Sequence, residues 1–307
     1  MKLILSRKAF DSSAGKVANP ILDDGSMIPM PIPDKQSPIR YRDITIAGQN
    51  LGTVASDLTS GRTPADHFAH LDPDLIESAY PRELGWRPIF GQVDAAQSVL
   101  EREGVGPGDL FLFFGWFRRT TSTGGRLRFV PGAPDMHVIW GWMQIDEVVP
   151  IGSVAHPAWM KYHPHLASPR GRGNTLYIAR EKLTLGGIDL GLPGAGVFDR
   201  YDDRLRLTKQ GSSRSLWSLP AWFAPDTSRP ALGYHSDRTR WRRDGERVDL
   251  QSAARGQEFV LDTSWYPEAI NWVRGLLEAP ACTPRPASLK PAPTRTYRRG
   301  IPRRAAP

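Results

Sequence analysis

The chain has 307 residues, of which 40% are hydrophobic and 23% charged, so it can bury a large core and is not disordered throughout. Its single cysteine excludes an intramolecular disulfide and a cysteine zinc site. No apolar run approaches the roughly eighteen residues that span a bilayer, and the first residues acquire charge too soon for a signal peptide. These features predict a soluble, cytoplasmic protein that does not contact membranes.

The net charge of +8 is concentrated at the C-terminus. Residues 280–307 contain seven lysines and arginines, no acid and many prolines, so almost none of the excess charge belongs to residues 1–279. We predict a single composite domain over 1–279 and a disordered, basic, proline-rich tail over 280–307. Such a tail either adds salt-sensitive, sequence-blind affinity for nucleic acid or only improves solubility.

The first elements follow from short local patterns. Residues 2–5 form an apolar run that predicts a strand. Residues 23–26, with glycine after two aspartates, have the chemistry of a tight hairpin turn. Two prolines in residues 30–34 lack N–H donors, so we expect this segment to be an edge or a loop.

The middle of the chain contains the strongest strand signals. Apolar residues at helical spacing predict a helix over 94–103, which Gly104 ends. Residues 110–117 form a continuous aromatic and aliphatic run typical of a strand buried on both faces, and residues 137–145 form a second. We expect these two strands to be antiparallel neighbours.

Further strands and one helix complete the predicted fold. A helix with one apolar face begins at Pro267 and ends before Pro280. Three more segments have strand character: 174–179, 216–223 and 257–261. The pattern predicts an α+β protein with a mainly antiparallel, barrel-like central sheet and flanking helices.

A polar segment follows the first strand and can present cationic, hydroxyl and N–H donors to a phosphate. Its candidates for phosphate binding are Ser6, Arg7, Lys8, Ser12 and Ser13. Asp11 is a candidate base. The alternative is a turn that satisfies its own backbone, because Asp-Ser-Ser is a common capping sequence.

The seven histidines offer a second set of candidates. His67 and His70, near Asp66 and Asp72, form one close pair, and His163 and His165 form another. Neither pair has the four-residue spacing of a helical zinc site, so we predict no metal site and solvated loop histidines.

A different case is His137, at the start of an apolar strand beside Asp135. It is either a general acid or base that Asp135 orients, or a strand-end histidine with satisfied hydrogen bonds.

Ten tryptophans form the third feature. Trp116 and Trp142 can stack on a base whose edge Gln144 reads, with Arg118 on a phosphate. Core packing explains most of these tryptophans equally well.

Known motifs for other chemistries are absent from the sequence, including a P-loop, a dinucleotide-binding fingerprint, a Gly-x-Ser-x-Gly elbow and a His-Glu-x-x-His helix.

Several segments together resemble the third type of nucleotide modification associated domain. They are residues 6–15, Pro20-Ile21, residues 31–34, Gly115-Trp116-Phe117-Arg118, residues 137–144 and Gln257-Glu258-Phe259. The resemblance spans roughly residues 1–278. It implies a role in making or handling hypermodified DNA bases in phages and bacteria, beside oxygenases that hydroxylate pyrimidine methyl groups. This chain has Ala9 where the family pattern has glycine, and Asn19 where it has serine, so the loop geometry at Ala9 is in question.

A second likeness is local. Gly108-Asp109, an aromatic strand, a loop and residues 141–145 resemble PUA-like barrels, in which such a strand pair builds an aromatic pocket for a modified base.

Two main functions follow from these resemblances. The first is a tailoring enzyme, such as a transferase, that acts on a modified pyrimidine nucleotide or on DNA, with Asp11, Asp34 and His137 as catalytic candidates. The second is a non-catalytic, PUA-like reader of modified bases, and a structural partner of the modifying enzymes is a third. The expected partners are DNA or a nucleotide and a pyrimidine-hydroxylating oxygenase, and the sequence points to no particular cofactor.

Overall fold

The structure is a computed structural model that describes residues 1–152, 155–167 and 170–278. The predicted tail over 280–307 lies outside the described residues. Strands make up 37% of the described residues and helices, 3-10 turns included, 18%, so strand is the dominant secondary structure.

The strands and helices of the described residues are short apart from two. In chain order the strands are β1 (Lys2–Arg7), β2 (Asn19–Ile21), β3 (Ile32–Pro33), β4 (Thr45–Ile46), β5 (Gln49–Asn50), β6 (Ala69–His70), β7 (Ile89–Gln92), β8 (Leu110–Thr123), β9 (Arg126–Phe129), β10 (Met136–Pro150), β11 (Thr175–Ala179), β12 (Lys182–Leu185), β13 (Ile188–Pro193), β14 (Ala195–Val197), β15 (Leu216–Pro220), β16 (Trp241–Asp244), β17 (Arg247–Gln251) and β18 (Glu258–Asp262). The α-helices are α1 (Leu51–Leu58), α2 (Asp94–Arg102), α3 (Pro164–Ala167) and α4 (Glu268–Leu277). Single 3-10 turns lie at Tyr41–Asp43, Glu77–Ala79, Ala158–Met160, Asp203–Leu205, Ala221–Phe223 and Arg238–Arg240.

The central sheet has the strand order β18-β1-β8-β10-β11-β7, and β2, β9 and β14 pair alongside it. The two long strands β8 and β10 are antiparallel neighbours, with Phe114 opposite Ile139, as the sequence predicts. β1 lies between β8 and β18, and its consecutive residues Leu3–Leu5 are all buried, so both faces of the sheet are covered at this strand. The helices predicted over 94–103 and after Pro267 are confirmed as α2 and α4.

The prediction of a barrel-like, PUA-like sheet is wrong. The sheet is mixed, because β1 and β2 run parallel to β8 while the other ladders of this sheet are antiparallel. Its end strands, β18 and β7, share no backbone ladder within the described parts of the chain, so the barrel is not closed. A continuous apolar run has the same pattern in either direction, so the sequence of β1 could not reveal its parallel pairing.

The core of the described residues consists of one large hydrophobic cluster, a second one and a small third one of Ile89, Met160, Leu176 and Ile178. The large cluster extends from β1 to α4, and the second is built mainly from residues 10–79, including Phe10, Tyr41 and Leu51. Among the described residues, no helix is long and apolar enough to cross a bilayer.

Candidate active site

Four side chains from two distant segments meet in the interior, and we call them the imidazole cluster: His70, Asp72, His163 and His165. His70 ends β6, Asp72 follows it by two residues, and the other two flank the start of α3. The four side chains are 0–13% exposed. The expectation of solvated loop histidines is therefore wrong for His70, His163 and His165.

Neighbouring polar groups fix the orientation of two of the rings. His70 Nδ1 lies 2.8 Å from Asp34 Oδ2, and His165 Nδ1 lies 2.6 Å from Asn174 Oδ1. The Asn174 amide group donates to the backbone oxygen of His165 at 3.0 Å, which fixes its own oxygen as the acceptor. Both rings therefore carry a proton on Nδ1, and in the neutral ring each Nε2 has a free lone pair.

Both free nitrogens point toward the same carboxylate. Nε2 of His70 and Nε2 of His165 each lie 3.6 Å from Asp72 Oδ2. The other oxygen, Oδ1, accepts the N–H of Gly91 at 2.7 Å. His163 Nε2 lies 3.3 Å from Oδ1, yet it has no hydrogen-bond partner in suitable geometry among the described residues.

Gly91 on β7 makes this convergence possible. A Cβ at this position would lie 2.5 Å from two ring carbons of His165, well inside van der Waals contact. The glycine therefore lets the His165 ring pack directly on the backbone of β7 while its N–H holds Asp72.

The cluster separates the pKa values of its members. Burial alone would raise the pKa of Asp72, but the neighbouring histidines outweigh burial and hold that pKa well below its usual range. Burial would lower the pKa of His70, but Asp34 and Asp72 outweigh it and raise that pKa. Burial lowers the pKa of His165 to about 4.

A narrow, mostly apolar pocket reaches the cluster at Asp72. Asp74 and Trp140 also line it, together with Ala9, Pro29, Met30, Pro31, Ile46, Leu71, Pro73, Leu75, Ile76 and Ala79. Asp74 is bound by Arg82 and Tyr162. The indole N–H of Trp140 is buried without a hydrogen-bond partner among the described residues.

The N-terminal segment, residues 6–15, has a different arrangement. Arg7 donates to the backbone oxygens of Ala253 and Ala254, at 2.8 and 3.0 Å. Lys8 forms a salt bridge of 2.9 Å with the fully buried Glu258. The cationic groups predicted to hold a phosphate thus already have partners inside the protein.

The acid and hydroxyl groups of this segment also bind one another. Asp11 Oδ1 accepts from Ser13 N, Ser13 Oγ and Ala14 N, each at 2.7 Å. Ser12 is exposed, whereas Ser6 is buried and its hydroxyl has no partner among the described residues.

His137 is buried against aromatic rings at the start of β10. Its Nδ1 accepts a hydrogen bond from Trp217 Nε1 at 2.9 Å, so the neutral ring carries its proton on Nε2. Burial, followed by the charges of Arg7 and Arg214, lowers its pKa well below the usual value. Asp135 does not orient this ring; it accepts from Trp116 Nε1 at 2.8 Å.

The residues predicted to hold a base and its phosphate have structural partners. The Trp116 ring lies 4.1 Å from the Arg214 guanidinium, which covers one of its faces. Trp142 is buried and donates to the Pro193 backbone oxygen. Both ends of the Gln144 amide are bound, to Gly108 and Thr184. Arg118 donates to the Val130 backbone oxygen at 3.3 Å.

The comparison with protein families matches residues 2–262 to nucleotide modification associated domain 3. The chain belongs to this family. Membership implies a part in nucleotide modification and is consistent with binding of a nucleotide or DNA. Neither the curated proteins nor the solved structures gave a significant match. The matched region of the family contains the imidazole cluster, the pocket and the N-terminal segment.

In this family member the structure does not gather the predicted catalytic residues into one site. Asp34 binds His70 and Arg170, whereas Asp11 and His137 lie in the electrostatic field of Arg7 and Arg214. Sequence reasoning missed the joining of the two His-containing segments. The available signal was the spacing: His-x-Asp and His-x-His each place two ligand-type side chains two residues apart in a loop.

Proposed function

We propose that the chain is an enzyme of nucleotide modification and that the imidazole cluster is its catalytic centre. The observation that carries this proposal is the convergence of three imidazoles on the buried carboxylate of Asp72, a residue that also lines a pocket. Buried ionisable groups with strongly separated pKa values are typical of catalytic sites. A buried polar side chain lowers the stability of the fold unless its polar atoms have hydrogen-bond partners. His163 Nε2 has no such partner among the described residues.

The substrate that we propose is a hydroxymethylated pyrimidine, in a nucleotide or in DNA, supplied by a pyrimidine-hydroxylating oxygenase. The pocket walls are mostly apolar and its volume of about 20 Å³ accepts one water-sized group, so the pocket takes the hydroxymethyl arm of the base and not its ring. Tailoring of the hydroxymethyl group, by a transferase or a similar activity, then takes place beside Asp72.

The proposal favours catalysis over the reader function. A reader needs exposed aromatic faces and amides with free hydrogen-bonding atoms. Here Gln144 and Trp142 use theirs inside the protein, and one face of Trp116 is covered by Arg214.

The test is co-expression of the full chain with a pyrimidine-hydroxylating oxygenase in a bacterial host, followed by mass spectrometry of nucleosides from the DNA and the nucleotide pool. We expect a nucleoside of new mass with the native chain. The His67→Ala control should give the same product, because His67 is exposed and lies three residues before His70. His165→Ala and Asp72→Asn should reduce that product at least 100-fold. Asp72→Asn keeps the oxygen that accepts the Gly91 N–H.

Three outcomes contradict the proposal. If the His165→Ala variant forms as much product as the native chain, catalysis does not take place in the imidazole cluster. If no new mass forms but the purified chain prefers DNA with hydroxymethylated bases in a mobility-shift assay, the chain is a reader. If it neither modifies nor binds, it is a structural partner of the modifying enzymes.

A further inference from the structure

We propose that His70 Nε2, His165 Nε2 and Asp72 Oδ2 bind a divalent transition-metal ion. One ligand atom from each of the three residues lies within 4.8 Å of the other two. This departs from the sequence-based expectation of no metal site, which considered each histidine pair alone. The proposal adds a cofactor to the proposed catalytic centre, but its support is the ligand geometry, which does not require that centre to be catalytic.

The distances suit a small cation. Metal–nitrogen and metal–oxygen bonds of about 2.0–2.2 Å in a tetrahedral site place two ligand atoms about 3.3–3.6 Å apart. Both histidine nitrogens lie 3.6 Å from the same carboxylate oxygen, which is too long for a hydrogen bond and close to that ligand separation. The two nitrogen–oxygen separations therefore already suit a small ion, and the two nitrogens lie within 4.8 Å of each other.

The surrounding groups prepare the two rings as ligands. Asp34 accepts from Nδ1 of His70, and Asn174 accepts from Nδ1 of His165. This is the arrangement that holds metal-binding histidines in proteins, because the acceptor fixes the tautomer and directs the Nε2 lone pair to the ion. When both rings are neutral, their Nε2 lone pairs face the negatively charged carboxylate of Asp72 and are repelled by it. A cation bound between the two nitrogens and the carboxylate removes this repulsion.

His163 has a different role from the other two histidines. Its Nδ1 accepts the backbone N–H of His165 at 3.3 Å, so the proton of the neutral ring is on Nε2. That nitrogen faces Asp72 Oδ1 and cannot also donate a lone pair to a metal. The protein thus supplies two nitrogens and one oxygen, and at least one position remains for water or substrate, as in catalytic rather than structural metal sites.

The competing account is a metal-free cluster in which His70 or His165 is protonated and pairs directly with Asp72. It predicts no affinity for transition metals beyond that of surface histidines. Titration of the folded protein with metal ions separates the two accounts.

The experiment uses the purified full chain after dialysis against a chelator. Zn²⁺ is titrated by calorimetry, and Co²⁺ by its visible absorption, which reports nitrogen and oxygen coordination. We expect one tightly bound ion per chain. His70→Ala and Asp72→Asn should each weaken binding at least 100-fold, and Asn174→Ala about 10–100-fold because it frees the His165 ring. The matched control, His67→Ala, should bind as the native chain does.

Circular dichroism of each variant separates lost ligands from lost folding. The proposal is overturned if the folded native chain does not bind Co²⁺, or if a folded His70→Ala/His165→Ala double variant binds it as tightly as the native chain. Metal binding without any nucleotide product would refute the proposed catalysis and leave the metal site. Undiminished product from metal-free protein, together with no Co²⁺ binding by the folded chain, would refute the metal site and leave the catalysis.

Discussion

The N-terminal segment and the imidazole cluster both gather charged and polar side chains, and they differ in what those side chains meet. In the N-terminal segment donors meet acceptors: Lys8 binds Glu258, and Asp11 accepts three hydrogen bonds from Ser13 and Ala14. In the cluster, Nε2 of His70 and Nε2 of His165 each lie 3.6 Å from the same Asp72 oxygen, which is too long for a hydrogen bond. The first arrangement stabilises a fold without a ligand, whereas the second gains from a bound cation.

The comparison teaches that density of polar residues along a sequence is a weak guide to a site. The segment richest in such residues holds together a loop and a strand end. If this division is correct, substitutions in the N-terminal segment change the free energy of unfolding, and substitutions in the cluster change binding and turnover.

The largest effect should come from Lys8→Met, which removes the partner of a carboxylate with a fully buried side chain. Glu258 would keep only the amide of Gln92, at 2.6 Å, so we expect a loss of about 3–5 kcal/mol in the free energy of unfolding, measured by urea denaturation. The exposed Lys16 offers a matched control, and Lys16→Met should change stability by no more than about 0.5 kcal/mol. A stable Lys8→Met variant that has lost nucleotide binding would reverse the comparison.

A second, smaller effect is expected on acidification, through His235. Its Nδ1 contacts the Gly233 backbone oxygen and its Nε2 accepts the Ala253 N–H, and burial lowers its pKa to about 4. The unfolded chain therefore binds a proton between about pH 6.5 and pH 4 that the folded chain does not. Stability should fall by about 1–2 kcal/mol from pH 7 to pH 5 because of this residue.

The measurement is urea denaturation of the native chain and of His235→Gln at several pH values. The other histidines are common to both proteins, so the difference between the two pH profiles isolates His235. Parallel profiles would mean that this ring does not resist protonation in the folded state.

The smallest effect concerns Ala9, where the N-terminal segment borders the pocket. Its φ of 75° lies in the left-handed region, which costs a residue with a Cβ about 1 kcal/mol. Ala9→Gly should stabilise the protein by about 0.5–1 kcal/mol in thermal unfolding, whereas the same change at Ala14 should not. A destabilised Ala9→Gly variant would show that the methyl group packs favourably in the pocket.

Patterns confined to a few residues were predictable from the sequence. The helices α2 and α4 follow from apolar spacing with glycine or proline at their ends, and the β8–β10 pairing follows from two apolar runs separated by a loop. At Ala9, the resemblance pointed to a position at which the family pattern has glycine, and the φ of Ala9 is positive.

Features that depend on distant contacts were not predictable. The parallel pairing of β1 with β8 joins residues such as Leu3 and Leu110, and nothing in either run encodes its direction. The imidazole cluster likewise joins β6 to α3, and each of its histidine pairs alone has the pattern of an ordinary loop. The single acid of the predicted site that contacts this cluster, among the residues described, is Asp34.

Gly91 links the two halves of the cluster, and this has a consequence for sequence variation. A buried strand normally accepts valine or isoleucine most readily, because β-branched side chains fill the space between sheet layers. At position 91 any side chain would displace the His165 ring and disturb the N–H that holds Asp72. In a saturation library selected for metal binding, β7 should therefore keep glycine at this one position while Ile89 and Phe90 exchange among apolar residues.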